Sequence, residues 1–84
     1  MINDERRCYI CGRTGVLQIH HTLHGCRRKK ADEFGLTVYL CPDCHRRLHD
    51  HGEHDLDLQK IGQRYFESKY GHDLFMEEFG KNYL

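Results

Sequence analysis

The apolar residues of this chain come in short bursts whose spacing changes along its length. Residues 16–22, entered through Gly15, and residues 36–40 are rich in β-formers, and each predicts a strand. The two strands are expected to pair antiparallel across the segment between them. In that segment residues 25–30 read as a basic loop, and residues 31–34 as a helical turn closed by Gly35. Cys41-Pro42-Asp43-Cys44 opens a helix running to about His49, because the N–H that Pro42 lacks is not needed in a first turn. Gly52 ends that segment. Asp55 or Asp57 is placed to cap a longer helix reaching Tyr70, with Leu58, Ile61 and Tyr65 on one face at i, i+3 and i+7. Gly71 stops it. Asp73 caps a last short helix, whose Leu74, Phe75 and Phe79 pack back on the core. Residues 1–7 are a polar lead-in. No repeat, linker or low-complexity segment interrupts this order, so the expectation is one α+β domain over residues 1–84.

Size changes the picture first. An 84-residue domain buries only about 60–65% of its unfolded surface, which leaves a thin stability margin. Hydrophobic residues are 38% of the chain, mean hydropathy is −0.81 and Trp is absent. Such a chain calls for a staple, either disulfides or a metal. Four of the five cysteines form two C-x2-C pairs, Cys8/Cys11 and Cys41/Cys44. Thiolates so spaced in tight turns converge on one tetrahedral ion, and Gly12 gives the first turn its backbone freedom.

The 29 residues between Cys11 and Cys41 hold the strand pair that must bring the turns together. Pairing Cys8/Cys11 with His20/His24 gives C-x2-C-x8-H-x3-H, short of the finger spacing of about twelve. Pairing Cys41/Cys44 with His45/His49 fails because His45 adjoins Cys44 and points elsewhere. The expected ligands of a structural Zn²⁺ are therefore Cys8, Cys11, Cys41 and Cys44. Cys26 is left as a small semi-buried thiol. The polar N-terminus shows no signal-peptide pattern and no apolar run is long enough to span a bilayer, so a reducing cytoplasm is expected.

A closed four-thiolate site has no open position for catalysis. A second cluster does. His45 and His49 are four apart on one helical face, a spacing that suits two ligands of one ion. His20 and His21 end the first strand. If that strand end packs on the helix, three imidazoles can share an ion whose other positions face solvent. His24 and His72 read as surface residues. The His-rich residues 49–55 read as an exposed turn, in which His51 or His54 could stand in for His49.

Taken together, Cys8-x2-Cys11, Ile19-His20-His21 and Leu40-Cys41-Pro42-Asp43-Cys44-His45-x3-His49 resemble an HNH (His-Me finger) endonuclease with a zinc-knuckle support. The resemblance covers residues 8–49, and the whole chain is similar to short phage- or prophage-encoded HNH-like proteins. It implies a ββα-metal module over residues 8–52, with the helices of residues 53–84 as an extension. It implies that His21 is the general base that deprotonates a water. His20, His45 and His49 would hold a catalytic divalent ion, Mg²⁺, Mn²⁺, Ni²⁺ or Zn²⁺. A 5′-phosphate and a 3′-hydroxyl would be the products, in a bacterial or phage-infected cytoplasm. Imidazole titrates near neutrality, which suits His21 to that task. The family's middle Asn has no counterpart in Phe34-Gly35-Leu36-Thr37, so the loop must be supported differently. Neighbours on a strand face opposite ways, so His20 and His21 share a site only where the strand ends or bulges.

The net charge is zero, but residues 1–47 carry nine Lys/Arg against five Asp/Glu, and residues 48–84 four against eight. An anionic partner is steered to the first half. Arg27, Arg28, Lys29, Lys30, Arg46 and Arg47 lie on one strand-loop-helix surface and are candidate phosphate contacts for duplex DNA. No base-reading element is visible, so sequence preference is expected to be weak. A metal-dependent DNA endonuclease is the leading reading. The others are a non-catalytic, zinc-finger-like DNA-binding or phage recombination accessory module, and a homodimerising domain using the aromatic residues of 65–83 as its interface.

Overall fold

A computed structural model describes all 84 residues. The chain folds as β1 (Gln18–His21), a 3-10 turn (Gly25–Arg27), α1 (Arg28–Glu33), β2 (Thr37–Leu40), α2 (Pro42–His51), α3 (Asp55–Tyr70) and α4 (His72–Phe79). It is an α+β arrangement of one two-stranded sheet and four helices. β1 and β2 pair antiparallel, with Gln18 opposite Leu40, Ile19 opposite Tyr39, His20 opposite Val38 and His21 opposite Thr37. That register turns His20 inward while Ile19 stays exposed.

The lead-in is not loose. Ile2 N donates to Thr37 O and Tyr9 N to Tyr39 O, while the Asn3 side chain accepts from Tyr39 N. Those bonds cover the edge of β2 that β1 leaves open. The expected basic loop is also helical: the 3-10 turn runs into α1, which buries Ala31.

α2 begins and ends as its residues dictate. Cys41 is its N-cap, with Sγ accepting from Cys44 N, Pro42 stands in the first turn, and Gly52 closes it at φ 69°. α3 departs from expectation. Its N-cap is His54, held at φ 64°, and neither Asp55 nor Asp57 caps it. Both carboxylates lie in its first turn, where the helix dipole favours them. Similarly, α4 starts after Gly71, and Asp73 is a first-turn acid rather than a cap. The buried stripe of α3 is Leu58, Gly62, Gln63 and Phe66; Ile61 and Tyr65 flank it half-buried.

Two apolar clusters divide the interior. One gathers Val38, Leu40, Leu48 and Leu58 around Cys8, Cys41 and Cys44. The other gathers Leu23, Ala31, Leu36, Phe66, Phe75, Phe79 and Tyr83. α3 serves both, with Leu58 in the first and Phe66 two turns later in the second. Gln63, wholly buried between them, donates to Glu67 and Asn82 and accepts from Tyr83 N, each at 2.7 Å, which latches the C-terminal residues. The aromatic rings expected to form a dimer face thus point mostly inward. Tyr70 and Leu84 are the large apolar residues of that region left half-exposed.

Candidate functional site

The two C-x2-C turns meet beneath the sheet. The sulfurs of Cys8, Cys11, Cys41 and Cys44 all lie within 4.8 Å of one another, and Cys11 Sγ is 3.7 Å from Cys41 Sγ. Four sulfurs about 2.3 Å from one zinc stand about 3.8 Å apart, so the separation matches a tetrahedral edge. It is far longer than an S–S bond of about 2.05 Å. Burial opposes ionisation of Cys8, but backbone hydrogen bonds from Cys11, Cys41 and Ile10 outweigh it and lower the thiol to about 6. Burial, and then crowding by the other three sulfurs, pushes Cys44 well up. Cys8 thus ionises readily while the surroundings of Cys44 oppose it. A divalent cation at the sulfurs would favour the thiolate forms, with release of protons. The donor set and its geometry are compatible with structural zinc. Outside the sulfurs, Arg13 pairs with Asp43 at 2.8 Å, tying the first turn to the start of α2.

The histidines meet on the other side of α2. His20 from β1 and His45 and His49 from α2 bring one nitrogen each within 4.8 Å of one another. The ring centroids of His45 and His49 are 5.3 and 6.0 Å from that of His20. His45 Nε2 and His49 Nε2 are 3.0 Å apart, at the short end of the roughly 3.0–3.4 Å expected of two nitrogens on one ion at about 2.1 Å. Gln18 Oε1 accepts from His45 Nδ1 at 2.6 Å, which orients that ring and leaves Nε2 as the ligand. His20 is 4% exposed, and its Nε2 is buried with no hydrogen-bond partner. Such an orphan costs about 1–3 kcal/mol and is what a cation would satisfy. Burial, with smaller contributions from His45, His24 and His49, lowers His20 to about 4, so it is a neutral donor at neutral pH. Burial and His49 also lower His45.

β1 ends at His21, and this resolves the facing problem. His20 points at α2, and His21, one residue on, lines the same cleft of about 240 Å³ together with His24, Arg28, His45 and His49. His21 stands outside the three-imidazole set. Its Nε2 is 3.3 Å from Asp32 Oδ1 on α1. The carboxylate beside this histidine thus comes from α1, not from the residues 34–37 that precede β2.

Several expectations need correction. His24 lies at the surface but not free on it: its side chain is part-exposed, lines the cleft and bonds Asp55 through Nε2. A second group, His20, His24 and Asp55, also has its ligand atoms mutually within 4.8 Å. The spacing His20-x3-His24 is a visible signal, but Asp55 lies 31 residues further on, and only the fold brings it there. Cys26 is exposed rather than semi-buried. His51 and His54 are exposed and join neither group, and His72 is exposed beside Glu67. Among the basic residues, Arg27 donates to Phe79 O and Lys30 to Glu78 O, so both are spent on the carbonyls ending α4. Arg28 lines the cleft, Lys29 is exposed beside it on α1, and Arg46 and Arg47 are exposed on other faces of α2.

No helix is long and apolar enough to cross a membrane. Comparison with protein-family models, with curated proteins and with solved structures finds no match to this chain.

Proposed function

We propose that this chain is a metal-dependent DNA endonuclease of the HNH type, with a zinc ion at the four cysteines serving only as scaffold. One observation carries the reading: a buried, unpartnered His20 Nε2 beside His45 and His49, in a cleft that also holds His21. A purely structural module has no use for it. His20, His45 and His49 hold the divalent ion, which when bound neutralises charge developing at the phosphodiester. His21 takes the proton of the attacking water. Asp32, accepting from His21 Nε2–H, holds the ring in the tautomer with Nδ1 free and favours the imidazolium that forms. Arg28, at the cleft, holds the phosphate next to the one attacked, and the exposed Lys29, Arg46 and Arg47 hold phosphates further along the duplex. They carry no base recognition.

The alternative is a non-catalytic DNA-binding module. It rests on the sulfur site and the exposed Arg46 and Arg47, and it leaves the imidazole cleft without a role. Plasmid nicking with Mg²⁺, Mn²⁺, Ni²⁺ or Zn²⁺, run beside His21→Ala, separates the two. The endonuclease reading expects nicking that falls at least about a hundredfold in His21→Ala, a usual range for a lost general base. No nicking with any of the four ions, or nicking indifferent to His21→Ala, refutes it.

A further inference from the structure

His24 and Asp55 take no part in the proposed hydrolysis, yet they complete a second set of ligands around the same buried histidine. We propose that His20, His24 and Asp55 form a second transition-metal position beside the His20/His45/His49 set, the two positions sharing His20 and filling in alternation. Three independent features meet here. The three ligand atoms lie within 4.8 Å of one another and come from β1, the turn after it and the start of α3. The His20 ring stands between the two sets, with its centroid 5.6 Å from that of His24 and 5.3 Å from that of His45. Its Nε2 is buried without a partner, so whichever set carries the ion supplies what this atom lacks.

Asp55 strengthens the case by what it does not do. It opens α3 without capping it, and its carboxylate turns instead to His24 Nε2. His24 Nε2 and Asp55 Oδ1 face each other at hydrogen-bond distance, and an ion at this position would replace the proton they share. Two imidazoles and one carboxylate form a borderline donor set of net charge −1. That set suits Zn²⁺, Co²⁺, Mn²⁺ or Fe²⁺ better than Mg²⁺, which prefers oxygen ligands and keeps its waters. With His20 Nε2 as the ligand in both positions, one ion is held here at a time, in addition to a zinc at the cysteines. An ion at this position staples the start of α3 to the end of β1. An ion at the other position ties α2 to β1.

This second position stands whether or not the chain cuts DNA, and its test reads metal rather than nicking. The His45→Ala/His49→Ala double variant, with zinc at its cysteines, is titrated with Co²⁺ and followed by visible absorption and equilibrium dialysis. One Co²⁺ per chain is expected, without a thiolate charge-transfer band, and its affinity should fall about tenfold or more on adding Asp55→Asn or His24→Gln. Failure of the double variant to take up Co²⁺, or uptake unaltered by Asp55→Asn, overturns the inference. Should the double variant not fold, sub-stoichiometric Zn²⁺ is added to the unaltered chain, its cysteines already loaded, and imidazole ¹⁵N shifts are followed. A coordination shift at His24 Nε2 together with His20 supports the position. Coordination shifts confined to His20, His45 and His49 overturn it.

Discussion

Gly62 of α3 packs against Thr22, the residue that follows the strand carrying the histidines. A Cβ built on it would stand 2.3 Å from Thr22 Oγ1 and 3.0 Å from Thr22 Cβ. Thr22 is wholly buried and its hydroxyl donates to Leu36 O at 2.9 Å, so it has nowhere to retreat. Gly62→Ala sets two effects against each other. The added methyl gains about 1 kcal/mol of helix propensity at a mid-helix position. Overpacking costs about 1–3 kcal/mol, and a Thr22 hydroxyl forced off Leu36 O forfeits about 1 kcal/mol more. The clash wins, with a net destabilisation of about 1–3 kcal/mol. For a domain of this size that lowers the melting temperature by roughly 5–20 °C. Thr22→Ala removes the hydroxyl that the new methyl would strike, and Leu36 O keeps the residue 22 N–H at 3.0 Å. The double variant should therefore lose at least about 1 kcal/mol less than the sum of the singles. The assay is thermal unfolding by circular dichroism at matched zinc loading. A Gly62→Ala protein as stable as the parent, or strict additivity with Thr22→Ala, would refute the packing argument.

Two further outcomes follow from the site. His20 is lowered to about 4 in the folded chain against about 6.5 unfolded, so between those pH values the unfolded chain binds more protons. Stability present above about pH 6.5 is then lost as pH falls to about 4, by up to about 3 kcal/mol, and no further loss from this group occurs below. Urea unfolding with no metal added at the imidazoles should show this loss in the parent and not in His20→Leu; equal losses in both would contradict it. On DNA, Lys29→Ala and Arg47→Ala should each reduce the slope of log affinity against log salt by about 1. Lys30→Ala should leave that slope nearly unchanged, because its ammonium is bonded to Glu78. A Lys30→Ala effect as large as that of Lys29→Ala would put the phosphate contacts elsewhere.

What the sequence makes legible is what acts locally. The paired C-x2-C turns, Pro42 and Gly52 mark the sulfur cluster and both ends of α2, because each acts within a few residues. The i, i+4 pair His45/His49 declares its shared face for the same reason. The first half of α1 reads as a loop because Arg28-Lys29-Lys30 offers no apolar stripe, and only Ala31 finds the core. The lead-in reads as free because backbone bonds such as Ile2 N to Thr37 O leave no trace in side-chain pattern. The pairing of His24 with Asp55 escapes the sequence because it depends on where α3 starts in space. A positive φ at His54, which sets that start, has no glycine to advertise it.

The division of the interior into a sulfur-centred half and an aromatic half bears on how such a protein would respond to metal starvation. Only the first half is built around an ion site; the second closes on Phe66, Phe75, Phe79 and the Gln63 latch. Stripping the cysteines would release α2, and with it two of the imidazoles, while the rings still grip one another. Zinc supply would then govern how well the imidazole cleft is assembled, because the sulfur site and the cleft share α2.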